Sequence, residues 1–361
     1  MEGENGHSAS FISPMSLKDT GMSHIPTCYI VPQSQRSTPN LNLHLTNTLP
    51  IVDLASLHHK SQRPKVIDEI RAACRKMGFF QVINHGISPL VMEGALDSAS
   101  NFFNLPIHEK MQLVSDDVTE PVRYGTSLNY VREEIHCWRD FLKHYSHPLS
   151  KWIHSWPSNP PQYKEKMGAY AEAVQNLAIE LMEAIFESLG LKPAYLKEEM
   201  EESMQVMAVN CYPACPEPEL TLGMPPHSDY GCLTILLQNC QALEVMDKEE
   251  KWMPVPAING ALLVHVGDHL EVTSNGRYKS VIRRAVVNSE KRRLSIASLH
   301  SLAIYKKVGP AAELVDKQHP TAYTESSFGD FLKFLSANDV MKGRRYIETL
   351  KMVQNKNNGR C

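Results

Sequence analysis

Three textures of polar and apolar positions divide the chain. The first 47 residues are rich in Ser, Asn, Pro and Gly and show no sustained apolar period, so they read as a flexible, partly ordered arm. From residue 48 to about 200, strand-like and helix-like runs alternate. "LPIVDLASL" (49–57) reads as a buried strand. "RPKVIDEIRAACRKMG" follows, with Ile67, Ile70, Cys74 and Met77 at helical spacing and Gly78 as its stop. "FFQVINHG" (79–86) is a second strand. The longest helical period lies in "KMGAYAEAVQNLAIELMEAIFESLG", where Met167, Tyr170, Val174, Leu177, Leu181 and Ile185 form one stripe, as expected of a scaffold helix covering a sheet.

From residue 201 to 305 the period shortens to two. "VMAVNCY", "CLTILLQ", "ALEVM", "ALLVHVGD", "KSVIRRAVVN" and "LSIASLHS" are short β-rich runs punctuated by Gly, Pro, Asn and Asp. This spacing predicts a jelly roll or double-sheet barrel braced by the preceding helices: a mainly β fold of α+β class. Residues 306–361 return to helical patterning, and Val340, Tyr346 and Leu350 predict an amphipathic lid helix over Asp339–Gln354. Within the β region, "YKSVIRRAVVNSEKRRLSIAS" reads as strands Val281–Val287 and Leu294–Ser298 joined by a polar turn. Alternation places Arg283 on one face with Val281, Ala285 and Val287. A slip of one residue would turn those apolar side chains outward.

Composition narrows the function. The chain has 361 residues, is 42 % hydrophobic and 21 % charged, and carries a formal net charge of −3. Nothing in this balance marks a nucleic-acid or membrane surface, and no apolar run has the length of a signal core or a bilayer span. The eight cysteines (28, 74, 137, 211, 215, 232, 240 and 361) form no CxxC pair or disulfide framework. They are read as reduced thiols of a cytoplasmic protein, and zinc at Cys211 and Cys215 is not expected. The expected partner is a small molecule, with the chain a monomer or weak homodimer.

"PPHSDYG" carries the strongest chemical signal. His227 and Asp229 lie two apart in an extended segment, so an imidazole and a carboxylate share a face. They supply two of the three ligands of an iron(II) facial triad. Together with "GFFQVINHGI", "WRDFLKHY", "NCYPACPEPEL", "GDHLEVTSNGRYKSV" and "RLSIASLHS", the stretch from Leu49 to Leu350 resembles the plant iron(II)/2-oxoglutarate-dependent dioxygenases. The branch it looks most like is flavanone 3-hydroxylase-like or hyoscyamine-hydroxylase-like. The resemblance implies a double-stranded β-helix core, cupin-like in form. It implies that Arg293 and Ser295 hold the distal carboxylate of 2-oxoglutarate, that Tyr212 and Asn210 support them, and that His227 and Asp229 are metal ligands. By analogy with substrate-facing positions, Tyr124, Phe141, Leu233, Ala297 and Leu299 would wall the substrate pocket. His85 would be structural.

One position departs from the pattern. Where the family carries its distal iron-binding histidine, this chain has Arg283. A guanidinium stays protonated and has no lone pair to give a metal. His265 and His269 are nearby in sequence, but both fall in a stretch that fits the family without being a ligand. The expectation is therefore an incomplete triad, iron(II) bound weakly or not at all, 2-oxoglutarate still possible, and Asp229 facing Arg283 across the former metal position. Three functions follow. His227, Asp229 and Arg283 could be a metal-independent catalytic set for cyclisation, isomerisation, elimination or addition on an apolar metabolite. The chain could be an oxygenase with an atypical metal site. It could also be a non-catalytic metabolite-binding pseudoenzyme.

Overall fold

The computed structural model describes residues 12–36, 49–130, 132–192, 195, 202–339 and 342–352. Two β-sheets face each other, and a layer of helices covers the outer face of the larger. Its strands are β1 (Ile51–Asp53), β2 (Phe79–Ile83), β3 (Val122–Gly125), β4 (Asp140–His147), β5 (Met204–Tyr212), β7 (Leu233–Gln238), β10 (Leu262–Val266) and β12 (Arg293–Ser301), in the order β1-β2-β10-β7-β12-β5-β4-β3. The smaller sheet is β6 (Met224–His227), β11 (Arg283–Ala285), β8 (Leu243–Met246) and β9 (Trp252–Pro254), in that order. Only β1 and β2 pair in parallel; the other ladders are antiparallel. This is the jelly-roll core expected from the short, evenly punctuated strands.

Alternation assigns the two faces of the large sheet. Leu142, Val209, Leu233, Ile235, Val264 and Ile296 point to the helical layer and join its core. That layer is α2 (Arg63–Lys76), α3 (Pro89–Phe103) and α6 (Tyr163–Ser188). All six residues of the α6 stripe, Met167 to Ile185, are buried. Each large apolar side chain so buried contributes about 1.5–3 kcal/mol relative to exposure. The opposite face meets the smaller sheet through Leu236, Leu243, Val245, Leu263 and Val281. Gly78 joins α2 to β2 at φ +64°, and a Cβ there would lie 2.0 Å from the Lys279 carbonyl oxygen. The turn therefore requires glycine on both conformational and steric grounds.

Several expected elements differ. Residues 12–36 of the arm are docked: Tyr29 is fully buried beside Trp138, and Ser13 bonds to Asp140. Apolar anchors spaced among polar residues, Ile25, Tyr29 and Val31, hold this segment without a periodic pattern. The lid helix expected over Asp339–Gln354 is helical only over Tyr346–Leu350, after Gly343 at φ +73°. Val340 and residues 353–354 lie outside the described residues. The helix Phe328–Ala337, capped by Ser327 and Asp330, does more of the covering. The strand read over Val281–Val287 is shorter, and its partner in the turn, β12, belongs to the other sheet. Among the described residues no helix is long and apolar enough to cross a membrane.

Candidate functional site

A cavity of about 240 Å³ opens between the sheets, under the helix Phe328–Ala337 and Tyr346. β6 brings His227 to its wall and β11 brings Arg283 directly opposite, the two being cross-strand partners. Asp229 follows just beyond β6. Arg283 Nη2 donates to Asp229 Oδ2, and the Thr234 hydroxyl of β7 donates to the same oxygen. The pair is closed off from solvent, at 5 % exposure for Arg283 and 7 % for Asp229. Burial pushes the Asp229 carboxyl up, but the guanidinium, the imidazole and the Thr234 bond outweigh it and hold it below the usual carboxylate range.

His227 Nδ1 lies 2.8 Å from the Pro225 carbonyl oxygen. A carbonyl can only accept, so Nδ1 carries the proton and Nε2 keeps its lone pair. Nε2 is 3.9 Å from Asp229 Oδ1. Burial, then the charge of Arg283, push the imidazole down to about 4. The next residue, Arg284, points the other way: its Nε donates to Glu244 at 2.6 Å and its guanidinium lies over the Trp252 ring at 4.3 Å. The alternation read from the sequence thus separates the two arginines, one in the cavity and one on the outer face of the small sheet.

Arg293, Tyr212, Ser295 and Asn210 form two cross-strand pairs of β12 and β5, Arg293 with Tyr212 and Ser295 with Asn210. All four side chains line the cavity. The Arg293 guanidinium lies 4.8 Å over the Tyr212 ring, and its Nε and Nη2 donate to Gln238 Oε1 at 3.3 and 2.9 Å. Its Nη1 is buried with no hydrogen-bond partner. A buried unpaired donor on a cation is costly unless an anion meets it. The residues therefore fit a carboxylate such as the distal one of 2-oxoglutarate. Asn210 is turned elsewhere: its Oδ1 accepts from Arg139 Nη1 at 2.7 Å and its amide donates to the Ala208 carbonyl.

The fit to iron(II) is different. A facial triad needs two imidazoles and a carboxylate. Here a guanidinium already occupies Asp229, and among the described residues no group of three or more His, Cys, Asp or Glu is placed to hold a metal. His265, considered as a replacement, is fully buried, stacked on Phe79, with neither ring nitrogen hydrogen-bonded. His269 packs edge-on against Tyr230 and bonds to Ser301. The residues present do not form the ligand set.

Of the expected pocket wall, Phe141, Ala297 and Leu299 line the cavity. Tyr124 and Leu233 do not. Both face the helical layer, and Tyr124 donates to Asp140 there. Each is one residue out of phase: Arg123 and Leu236 are the cavity-facing residues of those strands. His85 does not line the cavity, and its Nε2 bonds to the Gly260 carbonyl.

Arg139 was not singled out from the sequence, where 131–144 reads as a strand wall lining the pocket entrance with its charges solvated. The strand begins only at Asp140, and Arg139 and Glu133 are each 4 % exposed. Val131 lies outside the described residues. A signal was present: Arg139 lies two positions before Phe141, so the alternation that aims Phe141 inward aims Arg139 inward too.

Comparison with known proteins gives the same fold. The non-haem dioxygenase N-terminal family (named for morphine synthesis) matches residues 49–159, and the 2OG-Fe(II) oxygenase superfamily matches 203–301. Flavanone 3-dioxygenase 3 of Oryza sativa subsp. japonica is 47 % identical over 325 residues, 89 % of this chain and 98 % of that protein. The chloroplastic 2-oxoglutarate-dependent dioxygenase 21 of the same organism is 50 % identical over 307 residues, 84 % of this chain and 91 % of that protein. The crystal structure of JOX2 in complex with 2OG, Fe and JA superimposes with a TM-score of 0.81 at 32 % identity, over 90 % of this chain and 94 % of that one.

Proposed function

This chain belongs to the plant 2-oxoglutarate–iron(II) oxygenase family, and on that premise we propose that it has become a metal-independent, non-oxidative catalyst acting on an apolar metabolite. The observation that carries this reading is the Arg283 guanidinium seated on Asp229, opposite His227; the sequence resemblance gives this position to the third ligand. The charge that balances the carboxylate is then supplied by the protein itself.

The side chains suit a proton-transfer reaction. His227 Nε2 has the free lone pair and accepts a proton from a C–H or O–H of the substrate. Arg283 Nη1 has no partner and is placed to donate to the oxyanion that develops as the proton leaves. Asp229, itself held by Thr234, fixes the guanidinium. In isomerisation or cyclisation the proton on Nε2 returns to a different atom of the same substrate; in elimination it goes to the departing group, and in addition it is taken from an incoming O–H nucleophile and delivered to the substrate. Isomerisation, cyclisation, elimination or addition then needs no oxidant.

The test is an anaerobic titration of the purified protein with iron(II) and 2-oxoglutarate, read by the visible charge-transfer band of the chelate, with Arg283→His beside it. The expected result is no band for the natural chain and a band for the variant. A band in the natural chain, or iron-dependent release of succinate, overturns the proposal and favours an oxygenase with an atypical metal site. The unpaired Arg293 Nη1 supports that second reading, because it keeps a place for 2-oxoglutarate. Saturable binding without any turnover would instead mark a non-catalytic metabolite binder. We assign the protein to the cytoplasm as a monomer or weak homodimer, readings tested by imaging a fluorescent fusion and by light scattering.

A further inference from the structure

Four of the six arginines that line the cavity are buried, Arg123, Arg139, Arg283 and Arg293, each no more than 5 % exposed, while Arg344 and Arg345 are less enclosed. Asp229 balances Arg283, and a co-substrate carboxylate would balance Arg293. Arg123 and Arg139 flank the Phe141 ring, at 5.3 and 5.0 Å. Arg123 spends its Nη2 on two carbonyls, those of Ser127 and Leu128. Arg139 has only neutral acceptors, Asn210 Oδ1 at 2.7 Å and the Thr126 carbonyl at 3.3 Å, and its Nη2 has no partner. Arg283 likewise keeps Nη1 unpaired after Nη2 has met Asp229. Arg139, Arg283 and His227 line the same cavity, and Arg283 is the cross-strand partner of His227. Two buried cationic donors without acceptors, beside one imidazole, form a receptor for an anion.

The geometry points to a second anion subsite, made by Arg139 Nη2 and Arg283 Nη1, that holds the carboxylate of the substrate. The substrate class is then an amphipathic organic acid. Its carboxylate lies beside His227, and its apolar body lies against Phe141, Val206, Leu236, Phe331 and Leu335. This subsite is separate from the Arg293 cradle, which sits on β12 with its own free Nη1. A carboxylate suits it because it is an anion with two acceptor oxygens, one for each of the two unpaired guanidinium nitrogens. The inference deepens the metal-independent reading by naming what the catalyst acts on, but binding at this subsite does not require that reading to hold.

The test is isothermal titration calorimetry in chelator with the holo-length chain. The probes are phenylalkanoates from phenylacetate to 6-phenylhexanoate and their primary amides. The expected result is saturable binding of at least one acid, with its amide at least tenfold weaker. Arg139→Gln and Arg283→Gln each weaken the acid at least tenfold and leave the amide unchanged, with circular dichroism confirming that the variants fold. If Arg139→Gln does not fold, Arg139→Lys carries the test. It keeps the charge but loses the planar fork, and a several-fold loss of acid affinity is expected. Equal affinity for acid and amide, no binding of any acid, or acid affinity unchanged by the Arg139 variant overturns the subsite. The titration reads binding without iron or turnover, so an iron chelate band would overturn the proposed function while leaving this result standing.

Discussion

At Asp229, a guanidinium and a hydroxyl converge on one carboxylate oxygen in a wall closed to solvent. Removing one member of such a buried pair leaves the other charged and unmatched, which costs about 3–5 kcal/mol. Arg283→Leu should therefore destabilise the chain by about that amount in urea unfolding. Adding Asp229→Leu should recover most of the loss, because two apolar side chains of similar size replace two charges. Equal stability of the single and double variants would mean that the pair is not coupled in the fold. The same scale shows where residue-level reading succeeds. Arg283 and His227 were legible because each sits in a short strand whose alternation the sequence preserves, whereas the Arg293–Tyr212 pair was reached only through the resemblance of its motifs. Tyr124 and Leu233 were misplaced by one position, because a run such as "LTILLQ" is apolar on both faces and its parity is invisible without the register to a neighbour.

Among the elements, β4 has the most consequential neighbours, since its cavity face carries Phe141 and its other face reaches the N-terminal segment through Asp140. Helix α1 (Pro14–Asp19) begins at Ser13, whose oxygen accepts from the Ser16 amide while its hydroxyl donates to Asp140 at 2.6 Å. Tyr124 donates to the same carboxylate. Burial nonetheless pushes the Asp140 carboxyl up to about 6, with Ser13, Tyr124 and the nearby Lys110 charge opposing it only in part. The fold thus favours the protonated acid. Its contribution to stability is fully present below about pH 4 and is lost as pH rises through about 6. Asp140→Asn should remove that loss. Between pH 4 and pH 6 the unfolding free energy of the variant relative to the natural chain should rise by on the order of 2–3 kcal/mol. A difference that is flat across this range would mean that Asp140 does not titrate as its burial implies. This contact was not legible in sequence, because a docked arm held by isolated anchors has no period to detect, and its polar composition reads as loop.

Across the whole molecule, the scaffold and the site follow different rules. The jelly roll and the α2 and α6 packing follow from apolar periodicity, and these were readable. The cavity is an arrangement of charges brought from β4, β6, β11 and β12, strands distant in sequence, and only the fold reveals that four buried arginines face so few acids. Such a cavity is held in a closed shell by the rings of Phe328, Phe331, Tyr346 and Tyr230, with Tyr230 and Phe331 stacked at 4.6 Å. A buried excess of positive charge opposes the native state until an anion neutralises it, so an anionic ligand should stabilise the whole fold. Ligand that binds only the folded chain at a hundred times its dissociation constant adds about 2.7 kcal/mol. In chelator, saturating 2-oxoglutarate should therefore raise the thermal midpoint of the natural chain. Arg293→Gln should abolish the rise, since it removes the unpaired Nη1 that the distal carboxylate meets. A midpoint unmoved by 2-oxoglutarate in the natural chain would mean that the Arg293 cradle does not take this acid without metal. A rise that survives Arg293→Gln would place the acid on the other arginines of the cavity.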